Sequence, residues 1–227
     1  MKKLVVLTGA GISAESGLAT FRDQDGLWNG YQIEDVATPR AFERNPQLVL
    51  DFYNYRRQEI AKAQPNAAHN SLVDLQEVFD VHIITQNIDD LHERAGSKKV
   101  LHLHGEIFKK RSVTNANLIA TTTTDINLGD KAPDNGQWRP HIVWFEEPVP
   151  MMQQAELIVS QADVFVIIGT SLVVYPAAGL QYYAPQGIPK YLLDRHIPIT
   201  NSGHYHCIEK PATQGVAELV ELLKKVG

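Results

Sequence analysis

Cysteine is almost missing from this chain: Cys207 is the only one in 227 residues. One thiol cannot form an intramolecular disulfide or a multi-cysteine zinc site, and such usage suits a reducing compartment. A basic excess is missing too. Acidic residues number 26 against 21 basic ones, a net charge of −5, so no dominant nucleic-acid binding is expected. No stretch approaches the ~18 apolar residues of a bilayer span, so nothing spans a bilayer and no membrane partner is expected. Met1-Lys2-Lys3 precede only four apolar residues, Leu4 to Leu7, before Thr8 and Gly9. That is short of the ~7–15-residue core of a secretory signal, and the expectation is a soluble cytoplasmic protein. Hydrophobic residues at 44% and charged residues at 21% match the globular average and exclude wholesale disorder. The length is about one and a half times the ~150-residue domain prior, enough for one large α/β domain or a domain with a smaller insert.

Short apolar, β-branched runs recur at Leu4–Leu7, Val81–Ile84, Val100–Leu103, Ile142–Phe145, Val164–Ile168 and Tyr191–Leu193. Most lack strict polar alternation, as expected of parallel strands covered on both faces. Helical patterns lie between them, at Pro46–Ala63, His69–Phe79, Met152–Gln161 and Gln214–Lys225. In the last, Val216, Leu219, Val220 and Leu223 fall at i, i+3, i+4, i+7. The alternation predicts an α/β fold with a doubly wound, mostly parallel, Rossmann-like sheet. Residues 20–45 and the polar stretch 109–140 break this rhythm, and stretches that long are functional or form a subdomain. The predicted division is a Rossmann-like domain of residues 1–30, 70–108 and 140–227, with a small inserted lobe of 31–69 and 109–139.

Gly9-x-Gly11-x-x-Ala14 directly follows the first predicted strand. It matches the dinucleotide fingerprint, in which glycines permit a tight turn and let backbone N–H groups approach a pyrophosphate. A glycine turn ahead of any helix would read the same way. The acid expected ~20 residues on in dehydrogenases is missing. Three polar clusters follow other predicted strands: Thr85-Gln86-Asn87-Ile88-Asp89, His104-Gly105 and Gly169-Thr170-Ser171. Ligands bind beyond the carboxyl ends of strands in open α/β sheets, so these clusters should converge with Gly9–Ser13 on one crevice. Hydroxyls and amides suit sugar and amide recognition, and a lone histidine suits proton transfer near neutral pH.

Five ordered motifs then become recognisable: Gly9 to Trp28 (GAGISAESGLATFRDQDGLW), Thr85 to Asp89 (TQNID), Leu103 to Gly105 (LHG), Arg139 to Glu147 (RPHIVWFEE) and Gly169 to Ala178 (GTSLVVYPAA). Together they resemble the sirtuins, NAD-dependent protein-lysine deacylases, over nearly the whole chain. ATPRAF followed by FYNYRR, with Tyr53 and Arg56 three apart, resembles the acyl-pocket signature of the bacterial and mitochondrial class III members.

The resemblance implies NAD as cofactor and a role for each matching position. Gly9, Ala10, Gly11 and Ser13 would hold the pyrophosphate, with Glu15, Phe21, Arg22, Asp23 and Trp28 on a mobile cofactor loop. Gln86, Asn87, Ile88 and Asp89 would form the pocket for nicotinamide and its ribose, with Asn87 and Asp89 gripping the amide, and His104 would be the general base. Gly169, Thr170 and Ser171, with Asp194, Arg195, His196 and Ala212, would line the adenosine half. Val143, Trp144 and Phe145 with Leu172, Val173 and Val174 would sandwich the acyl-lysine peptide as an added strand. In the family reaction the acyl oxygen attacks the anomeric carbon as nicotinamide departs, giving free lysine and acyl-ADP-ribose. Residues at i and i+3 share a helix face, so Tyr53 and Arg56 can grip one carboxylate. Succinyl-, malonyl- or glutaryl-lysine is the expected substrate, with Ala37 leaving room for the longer chain.

The sequence departs from the family in three places. Most sirtuins carry four zinc-ligand cysteines between the LHG motif and the RP-x-VWF segment, whereas residues 106–138 contain neither cysteine nor histidine. A tetrahedral N/S site cannot form there, so no zinc is expected, and hydrogen bonds and packing, with Thr121–Thr124 as a strand, would hold the lobe. His204-x-His206-Cys207 reads as the strand before the last helix rather than as a metal cluster. Glu146 stands where the family commonly has glycine, and Asp194 where it has asparagine; a carboxylate still accepts hydrogen bonds from ribose hydroxyls. Competing readings are an ADP-ribosyltransferase or NAD hydrolase, an inactive NAD-binding sensor and, weakest, a dehydrogenase.

Overall fold

The structure, a computed structural model, describes residues 1–20, 30–197 and 204–227. Six parallel strands form the main sheet: β1 (Lys3–Thr8), β2 (Asp80–Thr85), β3 (Val100–His102), β7 (Val164–Ile168), β8 (Lys190–Asp194) and β9 (His206–Glu209). Their order, β3-β2-β1-β7-β8-β9, is that of a doubly wound sheet and reverses between β1 and β7. The register there pairs Leu4 with Val164 and Thr8 with Ile168, which brings the two strand ends level. Such a reversal opens a crevice at the carboxyl ends.

Both faces of the sheet are covered, which explains why the strands read as unbroken apolar runs. On one face α5 (Ala67–Asp74) and α8 (Ala212–Lys224) pack Leu72, Val216, Leu219 and Leu223 against Leu4, Val6 and Val166. On the other, α7 (Met152–Ser160) and a 3₁₀ segment, Ala177–Tyr183, bury Ala155, Val159 and Leu180 against Val5, Leu7 and Phe165. Asn66 caps α5 by accepting from Ala68 N at 2.9 Å, while α4 (Pro46–Lys62) starts on the Asn45 side chain with Pro46 at its first position.

Within the segment predicted to belong to the inserted lobe, residues 33–44 form two short helices, α2 (Ile33–Val36) and α3 (Pro39–Arg44). Thr38 Oγ1 caps α3 by accepting from Ala41 N at 3.0 Å. The expected strand Ile142–Phe145 needs correction. The strand is β6 (Trp138–Ile142), which pairs antiparallel with β4 (Gly105–Ser112) in a sheet completed by β5 (Ile119–Thr121). Beyond Ile142 the chain turns, with Glu147 N donating to Trp144 O at 3.1 Å. Of the threonine run, only Thr121 lies in a strand.

Two devices hold this smaller antiparallel lobe. Leu50, Ile126, Ala132 and Trp138 form its own core, joined to α4 where Asn54 Nδ2 donates to Ile126 O at 3.0 Å and Ile126 N to Asn54 Oδ1 at 2.9 Å. The Asp134 carboxylate meanwhile accepts from Ser112 Oγ (2.8 Å), Thr114 Oγ1 (2.7 Å) and Gly136 N (3.0 Å). Gly136 is required at that knot, since a Cβ there would lie 2.2 Å from Ser112 Oγ.

Candidate active site

The ends of β1, β2, β3, β7 and β8 open into one cavity of 630 Å³, in the size range of small-molecule and cofactor sites. Its floor is the contact between two turns. Gly9 and Gly11 follow β1, and Gly169 and Thr170 follow β7. Cβ atoms on Gly9 or Gly11 would come within 2.7 Å of Gly169 or Thr170 atoms, and Gly169 itself has a φ of +66°. The glycines are therefore needed for this close approach as well as for the tight turn.

From the end of β2, Gln86 Nε2 donates to Thr170 Oγ1 at 3.1 Å, tying that strand end to the turn after β7. Asn87 Nδ2 donates to Gly9 O and Ser13 Oγ, both at 3.1 Å. Ser13 Oγ in turn donates to Asp89 Oδ2 at 3.0 Å, and Asp89 Oδ1 accepts from Leu91 N at 3.1 Å. Burial pushes the Asp89 carboxyl up, and the Leu91 and Ser13 hydrogen bonds oppose that. His104 sits just past β3 with Nδ1 at 3.0 Å from Gln86 O. A carbonyl only accepts, so Nδ1 carries the proton and Nε2 is left as a base. Burial lowers the His104 pKa, partly countered by the Gln86 bond, which keeps the ring neutral at pH 7.

Ser171 after β7, Asp194, Arg195 and His196 at the end of β8, and Ala212 at the start of α8 also line the cavity. Burial pushes Asp194 up, against hydrogen bonds from the His196 and Arg195 backbone. A further part of the wall is formed by Ala37, Tyr53, Arg56, Ile60 and Trp144. Tyr53 and Arg56 share a face of α4 and are both buried. Burial raises the Tyr53 pKa, and Trp144 and nearby cations only partly oppose it, so the phenol remains a donor. The neighbouring Arg57 has a different use: its Nε donates to Ile107 O at 3.0 Å and its Nη1 to Asn54 Oδ1 at 2.8 Å. Burial lowers its pKa to about 10.

Of the expected site residues, Gly9, Ala10, Gly11, Ser13, Gln86, Asn87, Ile88, Asp89, His104, Gly169, Thr170, Val143, Trp144, Phe145 and Val174 also line this cavity. Among the described residues, three expected ones are absent from the lining. Glu15 does not line it; its carboxylate accepts from Thr213 N at 2.9 Å and Thr213 Oγ1 at 2.7 Å, capping α8. Leu172 and Val173 do not line it either, because the chain turns at Leu172, where φ is +55°. Neither that segment nor Val143–Phe145 is a regular strand. Phe21, Arg22, Asp23 and Trp28 lie outside the described residues. Leu18, Thr20, Ile60, Val149, Tyr175 and Pro176 line the cavity without having been singled out in the sequence. They are apolar or neutral wall positions with no chemical signature.

A large cavity on a glycine turn at the sheet reversal, with amide and carboxylate groups at one strand end and a neutral histidine beside them, defines a nucleotide-dependent α/β enzyme. Comparison with known proteins specifies which. The Sir2 family model matches residues 9–176. The NAD-dependent protein deacylase of Bacteroides thetaiotaomicron is 50% identical over 230 residues, covering 98% of both chains. A mutant Sir2 homologue in complex with ADP-ribose superposes with a TM-score of 0.90 at 37% identity, covering 99% of this chain and 93% of that one. A Sir2 homologue–NAD complex gives 0.88 at 38%, covering 99% and 90%. The chain belongs to the Sir2 family.

The residues present fit NAD. The Gly9–Gly11 turn carries no Cβ that would block a close backbone approach, and the cavity offers amide and carboxylate groups at Asn87, Asp89 and Asp194 that can hydrogen-bond an amide or a ribose. Among the described residues no group of three or more His, Cys, Asp and Glu side chains could hold a metal ion, and no helix is long and apolar enough to cross a membrane.

Proposed function

We propose that this protein is an NAD-dependent protein-lysine deacylase acting on acyl-lysine proteins or peptides, with succinyl, malonyl and glutaryl groups preferred over acetyl. A single observation carries the reading: one continuous cavity joins the neutral His104 and the Asn87–Asp89 pair to the buried Tyr53 and Arg56. NAD supplies an anomeric carbon whose bond to nicotinamide can break. Asn87 and Asp89 orient the departing amide. Nε2 of His104 takes the proton from a ribose hydroxyl, a step suited to a ring that burial keeps neutral. Trp144, Ile60 and Leu18 exclude water from the acyl chain.

Arg56 offers two parallel N–H groups to a terminal carboxylate and Tyr53 a third donor. Val143–Phe145 and Val174 support the peptide backbone at the cavity rim. Residues 1–30, 70–108 and 140–227 serve the cofactor, and residues 31–69 and 109–139 build the acyl wall and its support. The setting is cytoplasmic, in keeping with a lone Cys207.

Succinyl-, malonyl- and acetyl-lysine peptides of one sequence, assayed side by side with NAD, test this reading. The acidic acyl groups should show the higher kcat/KM, and Arg56→Met should lower their rates at least about tenfold while sparing acetyl-lysine. Equal rates on all three peptides, or undiminished desuccinylation by the variant, would refute the preference.

A further inference from the structure

Two histidines at i and i+2 grip consecutive carbonyls of the segment that carries the amide-binding pair. His104 Nδ1 reaches Gln86 O at 3.0 Å, and His102 Nδ1 reaches Asn87 O at 3.1 Å. The two rings differ at their second nitrogen. His104 Nε2 faces the cavity, whereas His102 Nε2 lies 2.8 Å from Glu93 Oε1, on α6 (Leu91–Ala95). Both partners of His102 are acceptors, a backbone carbonyl and a carboxylate. A neutral imidazole has one N–H and satisfies only one of them; an imidazolium satisfies both.

We propose that His102 is a positioning residue, an imidazolium clamped between Glu93 and the Asn87 carbonyl, that fixes the Gln86–Asp89 segment in its nicotinamide-gripping shape. It rests on the proposed NAD-dependent reaction for its use but not for its existence. The surroundings favour the charge. The side chain is 9% exposed, and it is faced by Glu93 from α6, by Glu106 from β4 and by Asp89 and Asp90 from the loop before α6. Among these neighbours only His92, also on α6, opposes it, and His92 is itself held neutral, by burial first and then by His69 and His102. Burial works against the His102 charge, but the Glu93 hydrogen bond and charge outweigh it, so its pKa lies above the ordinary 6.5.

The consequence runs past the clamp itself. Burial raises the Asp89 pKa, and the same positive charge, after the Leu91 and Ser13 hydrogen bonds, opposes that rise, so one ring holds the Asn87 backbone and also bears on the carboxyl beside it. His104 must be neutral to act as a base while His102, two residues earlier, must be charged. Two protonation events therefore bracket the working range, with His104 setting the acid side and His102 the alkaline side. Deprotonation of His102 frees either the carbonyl or Glu93, and the amide-binding segment loosens.

Nitrogen-15 NMR of the ligand-free protein, with the His102 signals assigned by their loss in His102→Gln, reads the charge directly. Both ring nitrogens should carry protonated shifts at pH 7.5 and lose them only above the pH at which a free histidine titrates. NAD affinity measured against pH, in the wild type and in Glu93→Gln, reads the function without depending on deacylation. In the variant the alkaline fall in affinity should begin about one pH unit lower or more, with affinity reduced about tenfold at pH 8. A neutral-imidazole pattern for wild-type His102 at pH 7.5, or a variant whose NAD profile follows the wild type, would overturn the proposal. If Glu93→Gln fails to fold, the wild-type spectrum alone decides. Failure of deacylation with the imidazolium signals intact would count against the proposed function and leave the clamp standing.

Discussion

Glu147 holds the corner on which the substrate wall is built, and removing its carboxylate should be costly. Its Oε1 accepts from Arg139 Nη1 at 2.7 Å and from Arg111 Nη2 at 3.0 Å, and its Oε2 from Trp144 N at 2.8 Å. Arg139 also donates to Ile142 O at 2.9 Å and stacks 3.2 Å from the Trp144 ring centroid. Side-chain exposures are 9% for Arg139, 12% for Arg111 and 17% for Glu147. Glu147→Gln therefore leaves two half-dried guanidinium groups facing each other without a counter-charge. Removing one partner of a buried pair costs about 3–5 kcal/mol, and the residual water contact of Glu147 places this case near the lower end, at about 3 kcal/mol.

For a chain of this length each kcal/mol moves Tm by about 2–4 °C, so the loss should be about 6–12 °C. Burial pushes the Glu147 carboxyl up, but the Arg139 hydrogen bond and charge outweigh it, and its folded pKa lies below 4.5. A depressed folded pKa means the stabilisation is complete above the unfolded value and is lost as pH falls through the folded one. The gap between wild type and Glu147→Gln in urea or thermal melts should accordingly be widest near pH 7 and shrink below about pH 4. A variant melting within about 2 °C of wild type at pH 7 would refute the reasoning.

Other perturbations bear on separate parts of the molecule. His104→Ala should lower kcat by about 10²–10⁴ with little change in Tm, and the acid limb of the wild-type kcat/KM profile should fall below pH 6.5, because burial lowers the His104 pKa. Gly105 has a φ of +83°, and a Cβ there would lie 2.0 Å from His141 O, so Gly105→Ala should destabilise by about 3 kcal/mol or more, read by urea unfolding. Glu146 has a φ of +71° in the turn after β6; Glu146→Gly should be neutral or raise stability by up to about 1 kcal/mol, even with its exposed contact to Arg40 lost. Elemental analysis should find no stoichiometric zinc and chelator should leave Tm unchanged; one zinc per chain would overturn the reading of the small lobe.

The legible parts of the fold were those where local chemistry and tertiary demand agree. The strand into Gly9–Gly11, α4 with its Asn45-Pro46 start and the apolar stripe of α8 all carry a periodicity or a cap that survives packing. The site was legible because its polar residues follow strands directly, at Gln86–Asp89, His104 and Gly169–Ser171. The antiparallel lobe was not. Residues 142–145 have the composition of a strand, yet the Arg139–Glu147 pair bends them into a turn that no local preference announces. Residues 33–44 hide two helices of four and six residues, too short for a period to emerge, although Thr38 and Pro39 do form a proper cap. Glu15 fell on the expected cofactor loop by position, but its carboxylate meets Thr213, 198 residues away in sequence, a contact visible only in three dimensions. The glycine-for-Glu146 departure found its physical sense only with the backbone in view, since the left-handed conformation there is one that glycine adopts freely.

Product analysis tests the central claim most directly. With NAD and a succinyl-lysine peptide, the wild type should release nicotinamide, free lysine peptide and succinyl-ADP-ribose in equal amounts, and His104→Ala should release almost none of the last two. Formation of ADP-ribose without the acyl product, or transfer of ADP-ribose to protein, would contradict the deacylase reading and identify an NAD hydrolase or an ADP-ribosyltransferase instead.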